Sequence, residues 1–204
     1  ELEGSTADPA ILEKLMYEVK KNPDAVGWLT VDGTDIDNCV VQSHDNSYYL
    51  RRDERKKESV YGCYFADYEC NLSDRENLSP NTIIYGHSDL KDNPDGEKFS
   101  QLFRFADDTF AGEHKTILLT TPEASLEWEI FAAFYTDTSF DYIQVQLTPE
   151  GLKKITDKAV SLSVRDYGIV PTAQDKILTL STCSVRDGND GNHRFVVMAR
   201  LKNQ

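Results

Sequence analysis

The 204-residue chain has no run of about 18 apolar residues, no CxxC pair, no internal repeat and no low-complexity segment. Each absence removes a class. No membrane-spanning helix is written into this stretch, and no signal peptide opens it. Four cysteines, Cys39, Cys63, Cys70 and Cys183, are too few for a disulfide scaffold. They also lack the paired histidines of a zinc site, so neither a metal nor a cofactor is expected. Basic residues are in deficit: 22 Lys and Arg against 35 Asp and Glu leave a net charge of −13. Such a surface repels phosphate backbones, which excludes nucleic acid and suits a neutral or cationic ligand. Length and aromatic content fit one globular domain with a small helical extension.

What the sequence does contain is centred on Ile177-Leu178-Thr179-Leu180-Ser181-Thr182-Cys183, an apolar strand that delivers a cysteine to its C-terminal end. A loop of Gly, Asn and Asp separates it from a second strand, residues 194–201, and the two read as a hairpin-like pair. Alternation puts Leu178 and Leu180 on one face and Thr179, Ser181 and Cys183 on the other. In the second strand Phe195, Val197, Ala199 and Leu201 form the core face, with Arg194, Val196, Met198 and Arg200 opposite. Paired, the strands send Cys183 and Arg194 into one groove away from the core. A cysteine beside a fixed positive charge favours the nucleophilic thiolate. On the local pattern alone, that reading stands level with an inert buried cysteine.

Elsewhere the chain opens on a helix, N-capped by Asp8 with Pro9 at its first position and an apolar stripe of Ile11, Leu12, Leu15, Met16 and Val19. Short strands follow at residues 28–31, 39–42, 60–68, 81–87, 116–120, 126–135 and 143–147, with a turn at Asp32-Gly33. Residues 51–58 read as a solvated charged loop and residues 98–105 as a short amphipathic segment. A second helix spans residues 149–161, with Leu152, Ile155, Ala159 and Leu162 as its apolar side. Many short strands with inserted helices argue for an antiparallel barrel or sandwich. Of the four histidines, His44 and His114 read as solvated surface residues. His193 competes with His87, but strand alternation turns it away from the Arg194 side. Arg200, about 20 Å along the strand from Arg194, reads as a solvated cation.

Several of these stretches resemble class B sortases, in family order and over nearly the whole chain. They are Asn22-Pro23-Asp24-Ala25-Val26-Gly27-Trp28-Leu29, Asp37 with Val40-Val41-Gln42, and Asp45-Asn46-Ser47-Tyr48-Tyr49-Leu50. The histidine strand Asn81-Thr82-Ile83-Ile84-Tyr85-Gly86-His87, Thr179-Leu180-Ser181-Thr182-Cys183 and the strand from Arg194 to Arg200 complete the set. Ser184 stands where such members often carry an acidic residue.

The resemblance implies a mainly β fold: a closed eight-stranded barrel at residues 25–204, an N-terminal helical extension at residues 1–24, and an inserted helix before the cysteine strand. It implies a membrane-anchored cysteine transpeptidase on the outer face of a Gram-positive cell, with an anchor preceding this stretch. The expected reaction is cleavage of an LPXTG-like or NPXTX-like sorting signal after Thr through a thioester. The acyl group then passes to a peptidoglycan-precursor (lipid II) amine or, in the alternative, to a pilin lysine. A non-catalytic peptide-binding module and a hydrolase are the competing readings. Carried over, Cys183 is the nucleophile, His87 the acid/base and Arg194 the oxyanion-stabilising cation. Thr182, Ser181, Tyr167 and Ile169 are the expected substrate contacts, the last two on a wall between the inserted helix and the cysteine strand.

Overall fold

A computed structural model describes residues 7–89 and 91–202, so residues 1–6, Leu90 and residues 203–204 of the sequence reading lie outside the described residues. The strands are β1 (Ala25–Val31), β2 (Asp37–Gln42), β3 (Tyr64–Ala66), β4 (Asn81–Tyr85), β5 (Thr116–Thr120), β6 (Ser125–Asp137), β7 (Ile177–Cys183) and β8 (His193–Leu201). They close into a barrel in the order β1-β2-β3-β4-β7-β8-β6-β5, the expected architecture. Three α-helices decorate it among the described residues: α1 (Pro9–Val19), α2 (Asp108–Glu113) and α3 (Pro149–Leu162).

The interior is filled by the inward positions of the strands, among them Leu29, Trp128, Leu178, Leu180, Phe195 and Val197. A 3₁₀ segment, Lys98–Ala106, plugs it with Phe99, Leu102 and Phe105, each fully buried. Its apolar faces match the amphipathic pattern read there. Outside, α1 lays Leu15 against Ala25, Cys39 and Val41. Asp8 caps that helix as expected, accepting from the amides of Ala10 and Ile11 at 2.9 and 3.2 Å.

The largest departure from the alternation argument is at β7 and β8, whose outer faces are also buried. Phe131, Ile177, Val196 and Met198 form a second cluster under Leu152, Ile155 and Ala159 of α3. An inserted helix covers what a bare sheet would expose, so the outer face is a core of its own. Cys183, the last residue of β7, lies beyond that cover and is exposed.

Other strand assignments shrink. Residues 60–68 supply only β3, because the chain first turns at Gly62, whose φ of 56° brings it against the carbonyls of Tyr49 and Leu50. Tyr48–Arg51 is a 3₁₀ turn. Residues 143–147 alternate like a strand but join no ladder: Ile143 is exposed and Val145 is buried with Cys70 and Ile83.

Asn81 holds that segment instead. Its amide nitrogen donates to the carbonyls of Tyr142 and Gln144, both at 3.0 Å, and its oxygen accepts from the Thr179 hydroxyl at 2.7 Å. The residue is 1% exposed. Asn81→Ala leaves these buried partners unpaired and is expected to destabilise the fold by roughly 2–4 kcal/mol in chemical denaturation. A change below about 0.5 kcal/mol, the range of surface substitutions, would show that the staple is dispensable.

Candidate active site

β7 lies between β4, its parallel neighbour, and β8, its antiparallel one. The first ladder ends at Tyr85↔Ser181, and the second ends at Cys183↔Arg194. The three predicted groups therefore gather at one end of the sheet. His87 follows β4 by two residues, Cys183 ends β7, and Arg194 faces Cys183 across the ladder. Together they line a groove enclosing about 330 Å³, whose exposed lining is mostly apolar.

The polar residues along the outer face of β7 explain why Cys183 is the one left open. Thr179 is bonded to Asn81, and Ser181 shares a 2.7 Å hydrogen bond with the Tyr142 hydroxyl. Cys183 comes next, without cover. Thr182, on the opposite face, donates to the Gly86 carbonyl at 2.8 Å and is 2% exposed. Ser181 and Thr182 do line the groove, but both hydroxyls already have protein partners. Their observed work is to hold β4 and the groove wall against β7.

The other cysteines are inert by contrast. Cys39, Cys63 and Cys70 are buried, and burial pushes the Cys39 and Cys70 thiols up to about 12 and that of Cys63 higher still.

His87 is reached through Gly86, which packs so tightly on the Phe99 ring that an added Cβ would sit 2.6 Å from it. The imidazole Nε2 then lies 2.7 Å from the carbonyl of Leu50. A carbonyl only accepts, so Nε2 carries the proton, and Nδ1 is the atom left to gain or lose one. Burial holds the His87 pKa below its ordinary 6.5, and the Arg51 charge adds to this, whereas the Leu50 hydrogen bond opposes it.

Arg194 uses one arm of its fork structurally. Nη1 donates to the carbonyls of Gly191 and His193 at 2.7 and 2.8 Å, leaving Nε and Nη2 without a protein partner among the described residues. The amides that follow the cysteine are all engaged. Ser184 N donates to His193 O, while Val185 N and Arg186 N donate to Asp92. None of the three is free to meet an oxyanion in this geometry, which leaves the free arm of Arg194 as the charged donor at hand.

The groove is also lined by Asn46, Phe65 and Tyr85. Beneath them Asp67, 4% exposed, accepts from Asn46 Nδ2 at 2.7 Å and from the Tyr85 hydroxyl at 2.8 Å. Burial and the Asp67 charge push the Tyr85 phenol well above its ordinary range, so it stays a neutral donor.

The segment expected to wall the groove does not line it. Tyr167 packs against the barrel core beneath Arg165, and Ile169 packs against the α3 cluster; neither lines the groove. Their segment leads into the start of β7, at the far end from the thiol. The wall comes from an earlier part of the same β6–β7 connection: Thr138, Phe140, Asp141, Tyr142 and Ile143. Reading residues 143–147 as a strand concealed it; the aromatic spacing of Phe140 and Tyr142 outside any strand was the available signal. The contribution of Leu50 is a backbone carbonyl, which no side-chain pattern announces.

Of the remaining histidines only His114 departs from its expected place. His193 lies outside the groove lining, its Nε2 3.7 Å from Asp190, as alternation requires. His44 is exposed, but His114 is half-buried, 3.0 Å from Asp32 and against the Phe110 ring. Arg200 is likewise half-buried and paired with Glu129 at 3.2 Å.

Known proteins share this domain and fold. The sortase domain family model matches residues 29–202. Sortase B of Listeria monocytogenes is 36% identical over 185 residues, covering 89% of this chain and 71% of its own. The Staphylococcus aureus sortase B–substrate complex superposes with a TM-score of 0.81 at 27% identity, over 95% of this chain and 86% of that one. A sortase B complexed with triglycine superposes with a TM-score of 0.82 at 26% identity, over 98% and 88%.

The Leu50 contact makes a spectroscopic prediction. In ¹⁵N NMR near neutral pH, His87 is expected to show a protonated Nε2 and a bare Nδ1, titrating below 6.5. A midpoint above that value, or the opposite tautomer, would contradict the geometry.

Proposed function

Since the chain belongs to the sortase family, in its class B branch, and is a cysteine transpeptidase, we propose that it cuts a Leu-Pro-X-Thr-Gly-like sorting signal after Thr and joins the new end to a peptidoglycan-precursor amine. The observation that carries this reading is the position of Cys183. It is the one exposed thiol of the four, opposite Arg194 in the ladder and in one groove with His87.

In the proposed cycle the Cys183 thiolate attacks the threonine carbonyl. The free arm of Arg194 meets the oxygen on which negative charge develops, while its other arm stays fixed to Gly191 and His193. The C–N bond breaks, a C–S bond forms, and His87, in the form that is also protonated on Nδ1, gives that proton to the departing amine. The incoming amine then attacks the thioester and passes a proton back to His87. The C–S bond breaks and the thiolate is restored. Nothing is oxidised, and no cofactor is required.

Phe140, Tyr142, Ile143, Leu50 and Phe65 give the groove an apolar lining suited to the proline-containing part of an extended signal. An acceptor carrying an ammonium group fits the net charge of −13, and triglycine, which offers an amino terminus, is bound by a sortase B of the same fold. By the same likeness the enzyme works on the outer face of the membrane.

Mass spectrometry with a peptide library of both signal types tests the proposal directly. A peptide-derived thioester is expected on Cys183, resolved by added oligoglycine into an amide, and Cys183→Ala is expected to form neither. Turnover by the alanine variant would end the proposal.

Arg194→Lys is expected to lose activity by about a hundredfold or more, close to Arg194→Ala, because a single ammonium cannot hold the loop carbonyls and also present a fixed donor. Steady-state kinetics on the three proteins decide it. A Lys variant near wild type would show that charge alone is enough.

A further inference from the structure

We propose that Asp92 is a positioning residue for this site, holding both the turn after Cys183 and, through the same loop, the guanidinium of Arg194. This inference rests on the roles given above to those two residues.

Asp92 lies in the connection after β4, the strand that leads to His87, yet its side-chain hydrogen bonds among the described residues cross to the β7–β8 loop. Its Oδ2 accepts from the Ser184 hydroxyl at 2.6 Å and from the Arg186 amide at 3.0 Å; its Oδ1 accepts from the Val185 amide at 2.9 Å. One carboxylate therefore receives three donors from the three residues that follow the cysteine. Bonds to an ionised acceptor are the strong ones. The residue adopts a φ of 51°, a region that a non-glycine side chain enters at some cost but that aspartate tolerates better than most.

The loop's other contacts stay within it or on the β6 and β8 side: Ser184 N donates to His193 O, the Arg186 guanidinium lies 4.3 Å over the Tyr135 ring, and Asn192 O accepts from Thr138 N. Residues 184–192 contain no regular structure, and Gly188 and Gly191 both have positive φ. At its far end the Gly191 carbonyl anchors Nη1 of Arg194. Near its start the Cys183 carbonyl accepts from the Ser88 hydroxyl at 2.6 Å, again from the histidine side. The link from Asp92 thus joins the segment that carries His87 to the loop that sets both the thiol and the guanidinium. Releasing it leaves the Ser184 hydroxyl and the Val185 amide without their acceptor, the Arg186 amide keeping only the Ser184 oxygen at 3.3 Å, and lets the loop drift. Displacements of about 1 Å at reacting groups cost turnover far more than they cost binding.

The test uses Asp92→Ala, Asp92→Asn, Ser184→Ala and the Asp92→Ala/Ser184→Ala double variant, with a peptide that the wild type turns over. Asp92→Ala is expected to lower kcat by roughly ten- to a hundredfold, with KM and melting temperature little changed. Asp92→Asn keeps one acceptor and should fall between, and it preserves the test if the alanine variant folds poorly. Ser184→Ala should lose less, and the double variant should be no worse than Asp92→Ala, because both remove the same link. A kcat within about twofold of wild type for Asp92→Ala, or a loss matched by the unfolded fraction, would overturn the inference. Fully additive losses in the double variant would overturn it as well. Cys183→Ala, run alongside, separates the two readings: if it is inactive, a normal Asp92→Ala refutes the positioning role alone, and if it is active, the nucleophile assignment is what fails.

Discussion

Seven residue pairs run along the β7–β8 ladder, from Ile177↔Arg200 to Cys183↔Arg194. Side chains alternate with a period of two, so a slip of one residue would turn Cys183 into the barrel and Leu180 out of it. The register is held because the two faces are filled by different cores. Leu178, Leu180, Phe195 and Val197 belong to the interior, and Ile177, Val196 and Met198 lie under α3. Neither set can exchange places without breaking both packed clusters and pulling Thr179 and Ser181 away from their buried hydrogen-bond partners. β4 adds the parallel edge, so the proposed acid/base, nucleophile and cation all take their positions from one strand and its two neighbours.

Covering the outer face of β7 with a helix creates a problem that the groove resolves. Thr179 and Ser181 are polar residues on a buried face, and each must find a partner there. Asn81 and Tyr142 supply the partners, and in doing so they bind the residues around 142–145 to the barrel. The wall of the groove is thus built from the same contacts that satisfy the strand. Asp67 does similar work on the other side, fixing Asn46 and Tyr85. The preorganisation that a transfer reaction needs follows from satisfying buried polar groups in a dry environment.

The charged groups are divided in a like manner. Arg194 gives one nitrogen to its own loop and keeps the rest of its fork open. His87 gives Nε2 to Leu50 and keeps Nδ1. Each of these two side chains, proposed above as catalytic, is oriented through one end and available at the other. A serine follows Cys183 in this chain, and the carboxylate that reaches it, Asp92, comes from a connection 92 residues away in sequence.

Much of this was legible from one dimension. The apolar alternation of residues 177–183 and 194–201, the Asp8-Pro9 cap and the 149–161 helix all follow from local chemistry, because strand faces, caps and helical stripes depend on near neighbours. The ordered motifs pointed to the barrel and to Cys183, His87 and Arg194. The sequence alone did not determine the groove's wall. Ile143, Val145 and Leu147 alternate like a strand, and only the tertiary structure shows that β4 is already occupied by β7, so that Asn81 binds this segment through its side chain. It likewise packs Tyr167 against the barrel core and Ile169 against the α3 cluster, outside the groove. The Leu50 carbonyl reaches His87 across 37 residues and the Asp92 carboxylate reaches Ser184 across 92, distances over which periodicity carries no information. Local sequence determined which side chains each element presents, and long-range closure decided which of them meet.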